Sequence, residues 1–94
     1  MSSVGMRAYK VIYPPLSKLP PPQFHVQPGR EWFYVLHGTV QLVLTDTRTE
    51  LAAGEAAEFD TETPHWIGNA RDDIPAETIA LYGQQGERVH VTDV

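Results

Sequence analysis

The sequence predicts an all-β protein, a small sandwich or barrel, on three observations. Runs rich in β-branched and aromatic residues recur at roughly ten-residue intervals, each bounded by turn residues. No segment holds a helical apolar period beyond two turns. Seven glycines and eight prolines among 94 residues favour many turns over long helices. A 10.5 kDa chain buries about 60% of its unfolded surface, enough for one core and not two. One domain over 1–94 is therefore expected, with its core over about 7–83 and a tail over 84–94.

Taken in order, Arg7 to Tyr13 alternates loosely and is expected as a strand. Five prolines then fall within Pro14 to Pro22, which excludes a helix or a central strand and predicts an extended connector or edge. Glu31 to Leu36 and Thr39 to Leu44 read as two strands of a hairpin around His37-Gly38. Thr45 to Arg48 is a polar turn, with a short strand near Thr49 to Leu51. Ala53-Gly54 turns the chain into a strand over Glu55 to Phe59, and Asp60 to Thr63 forms a loop. Pro64 to Asn69 and Glu77 to Tyr82 are strands separated by the loop Ala70 to Pro75. Glu87 to Val94 is a tail or a final edge strand.

Composition excludes several function classes. Without cysteine there is no disulfide framework, thiolate zinc site or cysteine nucleophile. A net charge of -5, with seven Lys and Arg against twelve Asp and Glu, offers no basic cluster for phosphate contacts, so this chain is not expected to bind nucleic acid directly. No apolar run reaches a membrane span, and Met1 to Gly5 lacks the apolar core of a signal peptide, so a cytoplasmic location is expected. The three serines lie in the N-terminal third, none within Gly-x-Ser-x-Gly, so nucleophilic catalysis is not indicated.

The residues with chemical potential are few. In a strand His25 and Gln27 share a face, Pro28-Gly29 turns the chain, and Glu31 opens the next strand, with His65 following Thr63-Pro64. Two imidazoles and a carboxylate converging in a small barrel suit a divalent metal, and two histidines with one carboxylate form the ligand set of non-haem iron sites. Other readings stay open beside this one: His25 as an exposed loop residue, and Glu31 as a rim charge paired with Arg30. His37 reads as an exposed turn residue, and His90 in the tail carries no information. By alternation Phe33 and Val35 share the face of Glu31, and Ile67 that of His65, which makes them candidate lining of a ligand pocket. Trp32, Tyr34 and Trp66 fall on the opposite faces and are expected in core or dimer packing.

The run from His25 to Gly38, His-x-Gln-Pro-Gly-x-Glu with six residues before the last glycine, resembles the first motif of the cupins. The run from Gly54 to Asn69, with ten residues before His65 and three more before Asn69, resembles the second. This resemblance implies a double-stranded β-helix, or jelly-roll barrel, usually dimeric. It also implies a site for a divalent transition metal (Zn, Fe, Mn or Ni) at His25, Gln27, Glu31 and His65. Departures stand beside it: Gln27 occupies the place of a second histidine, Leu19 that of a glycine, and Asp60 and Glu62 those of a proline and a glycine. Glutamine is a weaker ligand than imidazole for such metals. More narrowly, Glu31 to Gly38, Gly54 to Trp66 and Gly86 to Val91 resemble the C-terminal cupin domain of bacterial regulators of the xenobiotic-response-element (XRE) type. There a helix-turn-helix binds DNA and the cupin senses a small ligand.

The resulting expectation is a small-molecule-sensing domain of a transcription regulator, with its DNA-binding part absent from this chain. A stand-alone metal-dependent enzyme, oxygenase or isomerase, is the alternative, and a metal-free dimerisation unit is the third. A homodimer is expected through Tyr9, Val11 and Tyr13 together with Trp32 and Tyr34.

Overall fold

In the computed structural model, residues 7–83 are described. They form seven strands: β1 (Arg7–Tyr13), β2 (Arg30–His37), β3 (Thr39–Leu44), β4 (Thr47–Ala52), β5 (Ala56–Asp60), β6 (His65–Asn69) and β7 (Ala76–Gly83). A single 3-10 turn, Leu16–Lys18, interrupts the proline-rich connector between β1 and β2. The expected tail lies outside the described residues. Among those described, no helix is long and apolar enough to cross a membrane.

The strands make two antiparallel sheets, ordered β1-β7-β2-β5 and β4-β3-β6. Alternation decides what each sheet buries. From β2 the odd positions turn inward, and Phe33 and Val35 are almost fully buried; from β7, Ala76, Thr78 and Ala80 do the same. They meet Val40 and Leu42 of β3, Leu51 of β4 and Phe59 of β5 in one core between the sheets. The small Ala76 and Ala80 suit a narrow barrel, where two large side chains facing one another would overpack. This is the all-β jelly roll that the sequence predicts.

One local expectation is corrected. β2 and β3 are not a hairpin. β2 pairs with β5 and β7, and β3 pairs with β4 and β6, so the chain changes sheets at His37-Gly38. The register of β2 on β7 slips between Val35 and His37, which ends that strand in a bulge. Gly38 then takes φ +80°, and a Cβ there would stand 2.8 Å from the Pro75 carbonyl oxygen and 2.9 Å from the Ala76 Cα. Only glycine lets the backbone cross so close. The hairpin is instead β3–β4, around Thr45-Asp46, where Leu44 faces Thr47.

Buried Asn69 fastens the far end of the barrel. Its Nδ2 donates to the carbonyls of Tyr13 (3.2 Å) and Ile74 (2.8 Å), and its Oδ1 accepts from the Arg71 amide (2.8 Å). One side chain thus joins β1, β6 and the β6–β7 loop.

Candidate ligand-binding site

The connector after β1 is held along β6. Leu16 N–H donates to the Arg71 carbonyl at 2.8 Å, and Leu19 lies close to Gly68. Further on, His25 and His65 exchange both backbone hydrogen bonds, at 2.9 and 3.1 Å, and Gln27 N–H donates to the Thr61 carbonyl at 3.0 Å. Proline supplies no donor, so the connector is pinned where its non-proline residues reach carbonyls. Between this strap and the sheets lies an open cavity of about 320 Å³, lined by Tyr13, Gln23, His25, Glu31, His65 and Ile67, with Pro20, Pro21 and Trp66 at its walls.

His25 and His65 are directly opposite in an antiparallel pair, so their side chains emerge on one side. Their ring centroids are 6.2 Å apart. His65 is buried, with its ring 4.9 Å from that of Phe59, and its Nδ1 lies 2.9 Å from the Thr63 carbonyl oxygen. A carbonyl only accepts, so this contact puts a proton on Nδ1, and in the neutral ring Nε2 then keeps the lone pair. Glu31 faces Phe59 on one side and Tyr82 on the other. Burial pushes its carboxyl up to about 7 from an ordinary 4.5. The Tyr13 hydroxyl is pushed up to about 12, first by burial and then by the Glu31 charge. Arg30 does not neutralise Glu31: its Nε sits 3.2 Å from Glu58 Oε2, on the neighbouring strand.

The expected site residues therefore divide. His25, Glu31, His65 and Ile67 come to one cavity. Phe33 and Val35 do not line it; they pack in the core beside it. Gln27 is exposed and is not part of the lining. Trp66, expected away from any pocket, is at its wall. Tyr13, Gln23 and the prolines escaped sequence reasoning. Tyr13 had a usable signal, since it shares a strand face with Val11; the connector residues had none, because an irregular segment has no period to read.

The donors do not fit a metal in this arrangement. Among the described residues no three His, Asp or Glu side chains stand close enough together to hold an ion. What the cavity can do with these groups is hydrogen-bond and pair with a bound molecule.

The profile of the cupin domain family (Cupin_2) matches residues 10–82. No curated protein sequence matches the chain significantly. Among solved structures, an HTH_3 family transcriptional regulator from Vibrio cholerae superposes with a TM-score of 0.71 at 17% identity, over 85% of this chain and 43% of that one. The chain thus spans less than half of that regulator's length. The Cupin_2 domain of an XRE family transcriptional regulator from Enterobacter cloacae gives 0.71 at 16% identity, over 90% and 85%. FeII HppE gives 0.71 at 20% identity, over 83% and 42%. At such identities the likeness is one of fold. The family profile covers most of the chain, and the two-sheet barrel agrees with it: the chain belongs to the cupin family.

Proposed function

We propose that this cupin domain binds a small molecule and serves as the sensing part of a transcription regulator, with DNA contacts made by a segment outside it. The observation that carries the reading is the cavity: it gathers Glu31, His65 and Tyr13, and the half-buried Glu31 carboxyl has no ion pair within the described chain. Partial burial without a partner disfavours its charged form, and a ligand that engages the carboxylate offsets that cost. The fold shared with two regulators supports the regulatory role. The acidic balance supports leaving DNA to another segment.

The fold shared with FeII HppE favours a second reading, a metal-dependent enzyme using Zn, Fe, Mn or Ni. That reading needs His25, Glu31 and His65 to close on one ion with Gln27 as a fourth donor, and their placement argues against it.

A homodimer belongs to the same proposal. Trp32, Tyr34 and Leu36 project from the outer face of β2, beside Ile79 and Leu81 of β7, and the rings of Trp32 and Tyr34 stack 6.3 Å apart. On β1, Ile12 shares this face and is 59% exposed, whereas Tyr13 turns into the cavity. A second copy covering this patch would remove it from water.

The test of the ligand reading is a fragment screen by NMR on labelled protein, repeated on Gln23→Trp, which fills the mouth from an exposed lining position. Hits lost in that variant support the cavity as the site. Hits that persist there, or no hits at all, sink the reading. Stoichiometric metal in the purified protein, with oxygen uptake on ferrous loading, moves the conclusion to the enzyme.

A further inference from the structure

Among the described residues Glu31 is the one carboxylic acid that lines the cavity, and neither lysine nor arginine lines it. Of the six described lysines and arginines, four pair elsewhere, Lys10 with Glu77, Arg30 with Glu58, Arg48 with Glu50 and Arg71 with Asp73, and the other two, Arg7 and Lys18, do not line the cavity. Arg30 is the informative case. Although adjacent in sequence, it projects from the other face of β2, because successive side chains alternate. The described residues therefore place an acid in the cavity with no lysine or arginine beside it.

The other polar groups point the same way. His65, with its Nδ1 proton given to the Thr63 carbonyl, offers a lone pair at Nε2, so it accepts. A carboxylate also accepts. A ligand meeting both must bring donors. Around them lie Ile67, Pro20 and Pro21 and the rings of Tyr13 and Trp66, which suit an apolar stem and the face of a cation. The volume, about 320 Å³, is at the small end of ligand pockets.

We infer that the cavity recognises a small organic cation, an ammonium or amidinium group on a short apolar stem, with Glu31 as its counter-charge and His65 Nε2 as a second acceptor. This inference rests on the proposed reading of the cavity as a ligand site. A carboxylate or phosphate ligand would meet a like charge and no compensating cation. A neutral polyol would hydrogen-bond there but leave the half-buried carboxylate without a counter-charge.

The test uses three probes of similar length that differ in charge: n-butylammonium chloride, 1-pentanol and sodium pentanoate. Each is titrated at pH 8 into labelled protein and into Glu31→Gln, following amide shifts by NMR. n-Butylammonium is expected to give saturable shifts around the cavity, at least tenfold tighter than 1-pentanol, with none from pentanoate. Glu31→Gln is expected to lose at least tenfold in its affinity while keeping a folded spectrum. Equal or tighter binding of pentanoate or 1-pentanol, or undiminished n-butylammonium binding by Glu31→Gln, overturns the inference. If fragments bind and are blocked by Gln23→Trp while n-butylammonium does not bind, the cation assignment falls and the ligand site stands. If neither fragments nor probes bind, both fall.

Discussion

His25 and His65 are held to each other through their backbones, in both directions, while their rings stand 6.2 Å apart on the cavity side. This one pair attaches an otherwise proline-rich segment to the barrel and places two imidazoles at the same mouth. His25→Pro removes the N–H that donates to the His65 carbonyl, a loss of about 1 kcal/mol by the usual worth of such a bond. Hydrogen exchange should show the His65 amide losing protection in that variant, while the amides of β2 and β7 keep theirs.

Glu31 makes stability depend on pH in an unusual sense for an acid. Folded, its carboxyl keeps the proton up to about 7; its ordinary value is 4.5. Between these limits the native state binds more protons than the unfolded state, so stability is greatest below 4.5 and declines as pH rises through 7. The full swing is at most roughly 3 kcal/mol, since the carboxyl is only half-buried and solvent screens part of it. Glu31→Gln should remove this decline and be more stable than wild type at pH 8. Urea midpoints at pH 5 and pH 8 for both proteins check it.

Gly38 and Gly54 both have positive φ, yet their surroundings differ. At Gly38 a Cβ meets the backbone of Pro75 and Ala76; at Gly54 it meets nothing within 4 Å. Gly54→Ala should cost about 1 kcal/mol, the conformational penalty alone. Gly38→Ala should cost roughly 3 kcal/mol or more, since the two sheets must shift at their crossing. Comparing thermal midpoints of the two variants separates strain from collision.

Asn69→Leu strands three buried or part-buried backbone groups at Tyr13, Ile74 and Arg71. A loss of roughly 3 kcal/mol or more is expected, with β1 the first strand to open. Chemical denaturation gives the size, and hydrogen exchange in β1 gives the place.

The outer-face patch predicts a dimer of twice 10.5 kDa. Trp32→Glu puts a charge at its centre and should yield a folded monomer in sedimentation at micromolar concentration. An unchanged dimer would show that the interface lies elsewhere.

Strand content was legible in the sequence because alternation and turn residues are local signals. The run Glu31 to Leu36 reads as half-buried and is, with Phe33 and Val35 inside and Tyr34 outside. What joins to what was not legible. A glycine between two strands reads alike in a hairpin and in a change of sheet, and only the approach of Pro75 and Ala76 to Gly38 distinguishes them. The site was half legible for a related reason. The face shared by Glu31, Phe33 and Val35 follows from period two, but depth along the strand decides that Glu31 meets the cavity and the other two meet the core. Gln27 shows the limit of that rule, because its segment is not a regular strand.

The pairing of β1 with β7, from Arg7 opposite Tyr82 to Tyr13 opposite Ala76, joins the first described strand to the last. During synthesis, at about 5–20 residues per second, β1 leaves the ribosome several seconds before β7 exists. Through that interval Tyr9, Val11, Ile12 and Tyr13 form an unmatched strand, and every strand between them can pair wrongly with it. The barrel closes only when translation of Ala76 to Gly83 is complete. Folding of the barrel is therefore expected to wait for β7, and newly made chains depend on whatever protects such a strand until then.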